Sequence, residues 1–445
     1  MRSPLDLTTK PGDGLADFTT EEARVVADLS LESLRVFMAR GEEPPSLQRA
    51  GARHKIYFDP SKLKVGIVTC GGLCPGLNDV IRGLVMTLYY GYGVRSIQGF
   101  RYGFAGLNPE FGYPTTELTP DTVRDVHRAG GTILGTSRGA HSVVTMVDTL
   151  ERMNIRLFYA IGGGGTFQGA LALHDEIKRR RLKIGVVCLP KTIDNDIPLV
   201  DRTFGFHTAV GLADEAIQAA YFEASSLANG VGLVKLMGRH AGFIAANAAL
   251  ANRNVNLVLV PEAHFELEGK RGLFAYMDDR IGKGKSTVIV VAEGAGQHLL
   301  EATATTDASG NVKLGDIGLF LKRALNERYT GGERNFSLKY INPSYTIRSA
   351  PASPSDAIFC GYLAQVAAHA GMAGKTGIGV GRSHGKFTHI PLRTVVATGN
   401  RAINMESELW LSVLQSTGQP LAMCDELAKR TAKLSLVPNG IVVGQ

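Results

Sequence analysis

From Lys64 onward, short apolar runs alternate with segments of helical periodicity, and this alternation limits the fold more than any other feature. The runs are "KVGIVTC" (64–70), "RLFYAIG" (156–162), "KIGVVCL" (183–189), "VNLVLV" (255–260) and "STVIVVA" (286–292). They are rich in Val and Ile and lack the polar-out alternation of a half-exposed strand, so they read as strands buried on both faces. Helical segments lie between and after them: "DVIRGLVMTLYY" (79–90), "QGALALHDEIKRR" (168–180) and "FHTAVGLADEAIQAAYFEA" (206–224). Strand–helix alternation of this kind predicts an α/β protein with doubly wound, Rossmann-like parallel sheets. At 445 residues the chain is long for one core, and two domains are expected. Ligands in such folds bind beyond the carboxyl ends of the strands, so the residues just after each strand carry the functional information.

Four strand ends stand out. "CGGLCPGLND" (70–79) follows the first run, and "GGGGT" (162–166) follows the second. "PKTIDND" (190–196) follows the third and carries two aspartates two residues apart. "GLVKLMGRHAG" (232–242) places Arg239 directly behind a glycine. Glycine after a strand permits close backbone approach, and the helix that follows presents free N–H groups to an anion. A tight turn explains either glycine stretch alone, and Asp194 and Asp196 also suit turns or helix caps. Taken together, two phosphate cradles beside a loop with two carboxylates and Lys191 provide what phosphoryl transfer needs: positioning, charge neutralisation and an acceptor for the substrate's proton.

Composition narrows the partners. The net charge of +7 comes from 48 basic against 41 acidic residues, spread without a long basic block. That excess suits small phosphorylated anions. One Trp and few clustered aromatics argue against nucleic-acid stacking, so no nucleic-acid partner is expected. Cys70, Cys74, Cys188, Cys360 and Cys424 form an odd, scattered set without a C-x-x-C pair, which reads as free thiols of a cytoplasmic protein. No apolar run approaches the ~18 residues of a membrane span, and the N-terminus lacks a basic-then-apolar signal, so no membrane partner is expected. Residues 1–60 read as an extension with polar turns and one helix, packing on the body or on a neighbouring subunit.

"PKTIDND", "LMGRHAG", "VPE" (260–262) and "YINPSYTIRS" (340–349), in this order, resemble the 6-phosphofructokinase family. The resemblance runs from about residue 62 to at least 400, and it is strongest to the longer ATP-using branch of trypanosomatids, plants and some bacteria. It implies two α/β domains with the active site in the cleft between them. The implied organisation is a nucleotide-binding domain at 61–205 plus about 346–400 and a sugar-phosphate domain at 206–345. An extended or helical segment follows at 401–445. It further implies ATP as phosphoryl donor, Mg²⁺ as metal, fructose 6-phosphate as acceptor in glycolysis, allosteric control, and a homotetramer or homodimer.

Residue roles follow from the same resemblance. Asp194 matches the general base that takes the proton from the sugar's 1-hydroxyl, while Thr192 and Asp196 steady the transferring phosphoryl and the metal. Met237, Gly238 and Arg239 match the stretch that holds the sugar phosphate, with Arg239 also facing transition-state charge. Glu262 matches the carboxylate that accepts from sugar hydroxyls. Lys339, Tyr345 and Arg348 match the set around the 6-phosphate. Arg138, Gly71 and Gly163–Thr166 match the nucleotide loops. Each cation taken singly reads more readily as a surface charge.

Two departures matter. The family pattern after the second strand is Gly-Gly-Asp-Gly-Thr, and here Gly164 replaces the metal-binding Asp, leaving Asp194 and Asp196 as the carboxylates in reach. Three readings compete: a disabled or naturally altered variant of an active kinase, a family member that handles its metal differently, and a regulatory subunit that binds sugar phosphate without turnover. A kinase with weakened metal binding is the favoured reading. The donor cues are mixed. A small Gly165 leaves room for ATP, whereas Lys191 is the residue that accompanies pyrophosphate use, and the longer branch combines both with ATP. Short-chain relatives carry an arginine where this chain has Gly230. A lipid or NAD kinase shares the glycine loop, but "PSYTIRS" and "LMGRHAG" point to a phosphosugar.

Overall fold

A computed structural model describes residues 7–8, 18–139, 141–300, 313–332 and 334–425. The described residues divide into two compact units. The first contains residues up to Ala209 together with Tyr345–Arg401, and the second those from Val210 to Ser344 and from Ala402 onward.

The first unit is built on a nine-stranded sheet whose five central strands run parallel. In spatial order these are Ser96–Phe100, Lys64–Thr69, Leu157–Gly162, Gly185–Pro190 and Ile378–Ser383. In chain order this is 2-1-3-4-5, so the winding reverses between the strands ending at Thr69 and Gly162. Such a reversal opens a crevice at the carboxyl ends of the two strands, where doubly wound proteins bind ligands. The Leu157–Gly162 and Gly185–Pro190 strands are buried along their whole length. Their two faces pack against different helices. Phe158, Ala160, Val186 and Cys188 join Phe167, Ala170 and Leu173 of the Gly164–Arg179 helix in one core. Tyr159, one residue out of phase with that core, donates to the Ala368 carbonyl of the Pro354–Met372 helix.

The sheet is not wholly parallel, which corrects the expectation from sequence. Lys386–Pro391 turns back antiparallel on Ile378–Ser383, and Ser46–Arg49 and Arg24–Val26 continue antiparallel beyond it. Thr116–Glu117 closes the opposite edge against Ser96–Phe100. Strands from residues 1–60 are thus part of the first sheet. The helix of that region, Leu31–Arg40, is capped by Ser30 and Gly41 and buries none of its residues.

The second unit carries a four-stranded, fully parallel sheet in the order Leu257–Leu259, Thr287–Ala292, Gly230–Leu236, Ser337–Ile341. Leu233, Leu259, Ile289 and Val291 pack with Phe274 and Met277 of the Leu273–Gly282 helix and with Leu321 of the Ile317–Tyr329 helix. The Glu408–Thr417 helix belongs to this unit and buries Trp410 and Val413. Just after it, the Gln419 side chain accepts from Val258 N–H and donates to Val258 C=O, covering the free edge of the short Leu257–Leu259 strand. All five cysteines are free and buried, and burial pushes the Cys70 thiol up to about 12. Among the described residues, no helix is long and apolar enough to cross a membrane.

Candidate active site

In the first unit, three strand ends meet at the reversal of the winding. Gly71 follows the first with φ +83°, and a Cβ there would lie 3.2 Å from Lys191 Nζ. The neighbouring segment is laced to this loop: Thr136 Oγ1 donates to the Gly71 carbonyl (2.6 Å) and Gly71 N–H donates to the Ser137 carbonyl (3.2 Å). Arg138 Nη2 lies 3.4 Å from the place a Cβ on Gly72 would take, so the exposed arginine borders the same loop.

At the second strand end, a Cβ on Gly162 would fall 2.0 Å from Oγ1 of the buried Thr166, so only glycine fits. The Gly164–Arg179 helix starts immediately, with Gly163 as its N-cap and no side-chain cap. A helix N-terminus without a side-chain cap leaves backbone N–H groups and the positive end of the helix dipole for an outside acceptor. A Cβ on Gly164 would meet only Asn400 Oδ1, at 3.6 Å, and one on Gly165 would meet nothing within 4 Å. Both positions therefore accept a Cβ without rearrangement. Asn400 was not singled out from the sequence, because nothing in "ATGN" marks a residue that folds back onto position 164.

Lys191 joins these two loops. Its backbone N–H donates to the Gly162 carbonyl (3.0 Å) and its ammonium donates to the Gly72 carbonyl (2.8 Å). Burial holds the Lys191 ammonium below the ordinary lysine range, and the Arg348 guanidinium acts the same way, while the Asp194 carboxylate opposes them. A buried cation with one backbone partner is well placed to receive an anionic phosphate as a second.

The third strand end carries the carboxylates. Along 192–196, Thr192, Asp194 and Asp196 are partly exposed while Ile193 and Asn195 are buried, and Asp194 Oδ1 itself is shielded from solvent. The loop is fixed by its own groups. Asp194 N–H donates to Thr192 Oγ1 (3.1 Å), Thr203 Oγ1 donates to the Thr192 carbonyl (2.6 Å), and Thr203 N–H donates to Asn195 Oδ1 (2.9 Å). Asn195 adopts φ +56°, a conformation asparagine tolerates better than most residues. Arg401 N–H donates to the Asp196 carbonyl (2.7 Å). Mg²⁺ takes carboxylate, phosphate and water oxygens. The half-exposed Asp194 and Asp196 beside an open helix terminus fit such an ion, and Gly164 contributes no ligand.

The second unit holds most of the other sequence-derived residues, within its own framework. Met237 is fully buried after the Gly230–Leu236 strand, and the Gly238 carbonyl accepts from Gly294 N–H (3.1 Å). Arg239 follows, half-buried. The Phe243–Asn252 helix begins at Gly242, again without a side-chain cap of its own. Here a protein carboxylate occupies the terminus: Gly242 N–H lies 3.1 Å from both Glu262 oxygens, and Ile403 N–H donates to Oε1 at 2.8 Å. Burial pushes the Glu262 carboxyl up, and these N–H groups oppose the shift. Lys339 is exposed on the edge strand of this sheet. Tyr345 and Arg348 lie on a short helix, Ser344–Ser349, at which the chain re-enters the first unit, and Tyr345 is 83% exposed. Gly230 has no room for a side chain, since its Cβ would lie 2.1 Å from the Ala224 carbonyl oxygen.

Fold and loops together define a doubly wound α/β protein with glycine-lined strand ends and an uncapped helix start at the reversal of its winding. The phosphofructokinase family model matches residues 64–371, and the chain belongs to that family. An ATP-dependent 6-phosphofructokinase of Borreliella burgdorferi is 48% identical over 384 residues, covering 85% of this chain and 86% of that protein. ATP-dependent 6-phosphofructokinase 1 of Arabidopsis thaliana is 47% identical, covering 84% of this chain and 80% of that protein. The Trypanosoma cruzi enzyme of the same description is 44% identical, over 84% and 77% respectively. A solved pyrophosphate-dependent phosphofructokinase from Marinobacter aquaeolei superposes with TM-score 0.65 at 20% identity, covering 82% of this chain and 92% of its own, which establishes the shared fold alone.

Proposed function

We propose that this chain transfers the γ-phosphoryl group of ATP to the 1-hydroxyl of fructose 6-phosphate, giving fructose 1,6-bisphosphate. The observation that carries this reading is the convergence, at one reversal of the winding, of an uncapped helix terminus, a buried lysine and a loop presenting Thr192, Asp194 and Asp196. In this reading the N–H groups at Gly164–Thr166, Lys191 and Arg138 bind the donor's phosphates. Asp194 takes the hydroxyl proton, Thr192 orients the loop and the incoming phosphoryl, and Asp196 with Asp194 holds Mg²⁺. The ion, when bound, neutralises donor charge. Arg239, Met237, Gly238 and Glu262 hold the sugar, with Lys339, Tyr345 and Arg348 around its 6-phosphate. The relatives described as ATP-dependent, at 44–48% identity, support ATP as donor, as does the open space beside Gly165. A homo-oligomer in the cytoplasm with allosteric control completes the proposal.

Gly164 favours a weak version of this enzyme, because the loop supplies no metal ligand where a carboxylate would fit. Steady-state rates with fructose 6-phosphate, using ATP and then pyrophosphate over a range of Mg²⁺, test the proposal. Turnover with ATP at elevated Mg²⁺ is expected. Saturable sugar-phosphate binding without turnover from either donor would instead identify a regulatory subunit.

A further inference from the structure

Outside the proposed active site, His264, Glu266 and His298 each offer one ligand atom, and the three atoms lie within 4.8 Å of one another. Two of these residues follow the Leu257–Leu259 strand, and the third sits on the Gln297–Leu299 turn that follows the neighbouring Thr287–Ala292 strand. The sheet therefore fixes the spacing of the two segments, and Phe265 between the ligands is anchored in the core. Backbone pairing of Phe265 with Met423, through Glu266 N–H to the Met423 carbonyl (3.0 Å), holds the first segment further.

The three side chains lie against one another. His264 Nε2 is 2.7 Å from Glu266 Oε1, and the His264 and His298 rings stack with centroids 4.1 Å apart. His298 Nε2 faces the Phe265 carbonyl at 3.0 Å, so this nitrogen is the donor and Nδ1 keeps its lone pair. A backbone carbonyl that fixes the tautomer of an imidazole is the usual outer support of a metal-bound histidine. An ordinary His–Glu surface pair needs neither a third ligand from a distant segment nor such an anchor.

We propose that His264, Glu266 and His298 form a binding site for one borderline divalent cation of the Zn²⁺, Co²⁺ or Ni²⁺ type. Two imidazoles with one carboxylate select such ions over Mg²⁺, which prefers oxygen ligands and retains its water. The site is therefore separate from the Mg²⁺ of the phosphoryl-transfer reading and does not depend on it. Turning the two surface imidazoles out of their stack would let them and the carboxylate meet one ion at the ~2.0–2.2 Å metal distances of imidazole and carboxylate. Water fills the remaining position. The bound ion clamps the segments that follow two adjacent strands, beginning two residues beyond Glu262.

Titration of the chelator-stripped full chain with Co²⁺, followed by visible absorption, tests the site. The expected result is one Co²⁺ per chain, displaced by Zn²⁺ and not by millimolar Mg²⁺. His298→Ala and His264→Ala are each expected to weaken binding at least ~100-fold, the upper end of what loss of an outer partner alone costs. Zn²⁺ should raise the melting temperature of the parent chain and leave that of the double His264→Ala/His298→Ala variant unmoved. All three side chains are partly or well exposed, so these variants keep the core intact, which circular dichroism checks. All five cysteines are buried and offer no competing surface thiol. No saturable Co²⁺ signal, or an unchanged signal in the double variant, would overturn the proposal.

Discussion

Two helix termini, one in each unit, are built alike and used differently. The Gly164–Arg179 and Phe243–Asn252 helices both start directly after a glycine, and neither N-cap contributes a side chain. In the second unit Glu262 fills the terminus, accepting from Gly242 N–H and from Ile403 N–H. In the first unit, among the described residues, only Asn400 Oδ1 comes near the place of a Cβ at position 164. A terminus filled by the protein's own carboxylate orients that carboxylate, whereas one left uncapped is available to a ligand's phosphate. Under the proposed function, the open end serves the donor and the filled end positions Glu262.

The largest effect tests the loop beside the open terminus. Asp194→Ala should cut turnover by the ~10²–10⁴-fold expected of a positioned base while leaving fructose 6-phosphate binding largely intact. Near-normal turnover would remove Asp194 from the mechanism.

Next in size, Gly164→Asp gives the open terminus the carboxylate it lacks. The position has space for it, and an added metal ligand should raise turnover at least ~30-fold, the factor that 2 kcal/mol gives. Rates plotted against Mg²⁺ for both forms provide the measurement. A parent chain that already turns over at tens per second, on the scale of ordinary enzymes, with no gain on substitution, would show that another residue holds the metal.

Gly165→Asp places a negative charge at the same terminus without serving the metal. About a tenfold rise in KM for ATP is expected, matching ~1.4 kcal/mol of repulsion, with a smaller change for pyrophosphate. Equal responses from the two donors would break the account of donor choice.

The smallest effect belongs to the filled terminus. Glu262→Gln turns one acceptor oxygen into a donor facing backbone N–H groups, a loss of ~1 kcal/mol. KM for fructose 6-phosphate should rise about fivefold and KM for ATP should not move. A change in the ATP constant instead would mean that the two termini are not divided as described.

Lys64–Thr69, Leu157–Gly162, Gly185–Pro190, Leu257–Leu259 and Thr287–Ala292 were legible because burial on both faces leaves a continuous Val/Ile signature, as in "RLFYAIG" and "STVIVVA". Ser337–Ile341 and Ile378–Ser383 were not, since "SLKYI" mixes a lysine into an edge strand and "IGVGRS" is broken by glycines. Arg24–Val26 and Ser46–Arg49 are too short to show a period and exist through pairing with distant residues. In the site, glycine clusters reveal helix termini because the requirement is local. The Lys191 bond to the Gly72 carbonyl, Asn400 beside Gly164 and the Ile403 N–H on Glu262 join residues more than a hundred positions apart, and no local pattern encodes them.

The antiparallel edge of the first sheet also sets an order of events during synthesis. Arg49 and Gln48 pair on one side with Thr388 and His389, so that side of an early segment must wait for nearly the whole chain to leave the ribosome. Pairings this remote in sequence slow folding, and until they form the Lys386–Pro391 hairpin strand has an open side. Nascent chains halted before that hairpin should therefore hold residues 24–49 accessible to protease, and release of the completed chain should protect them.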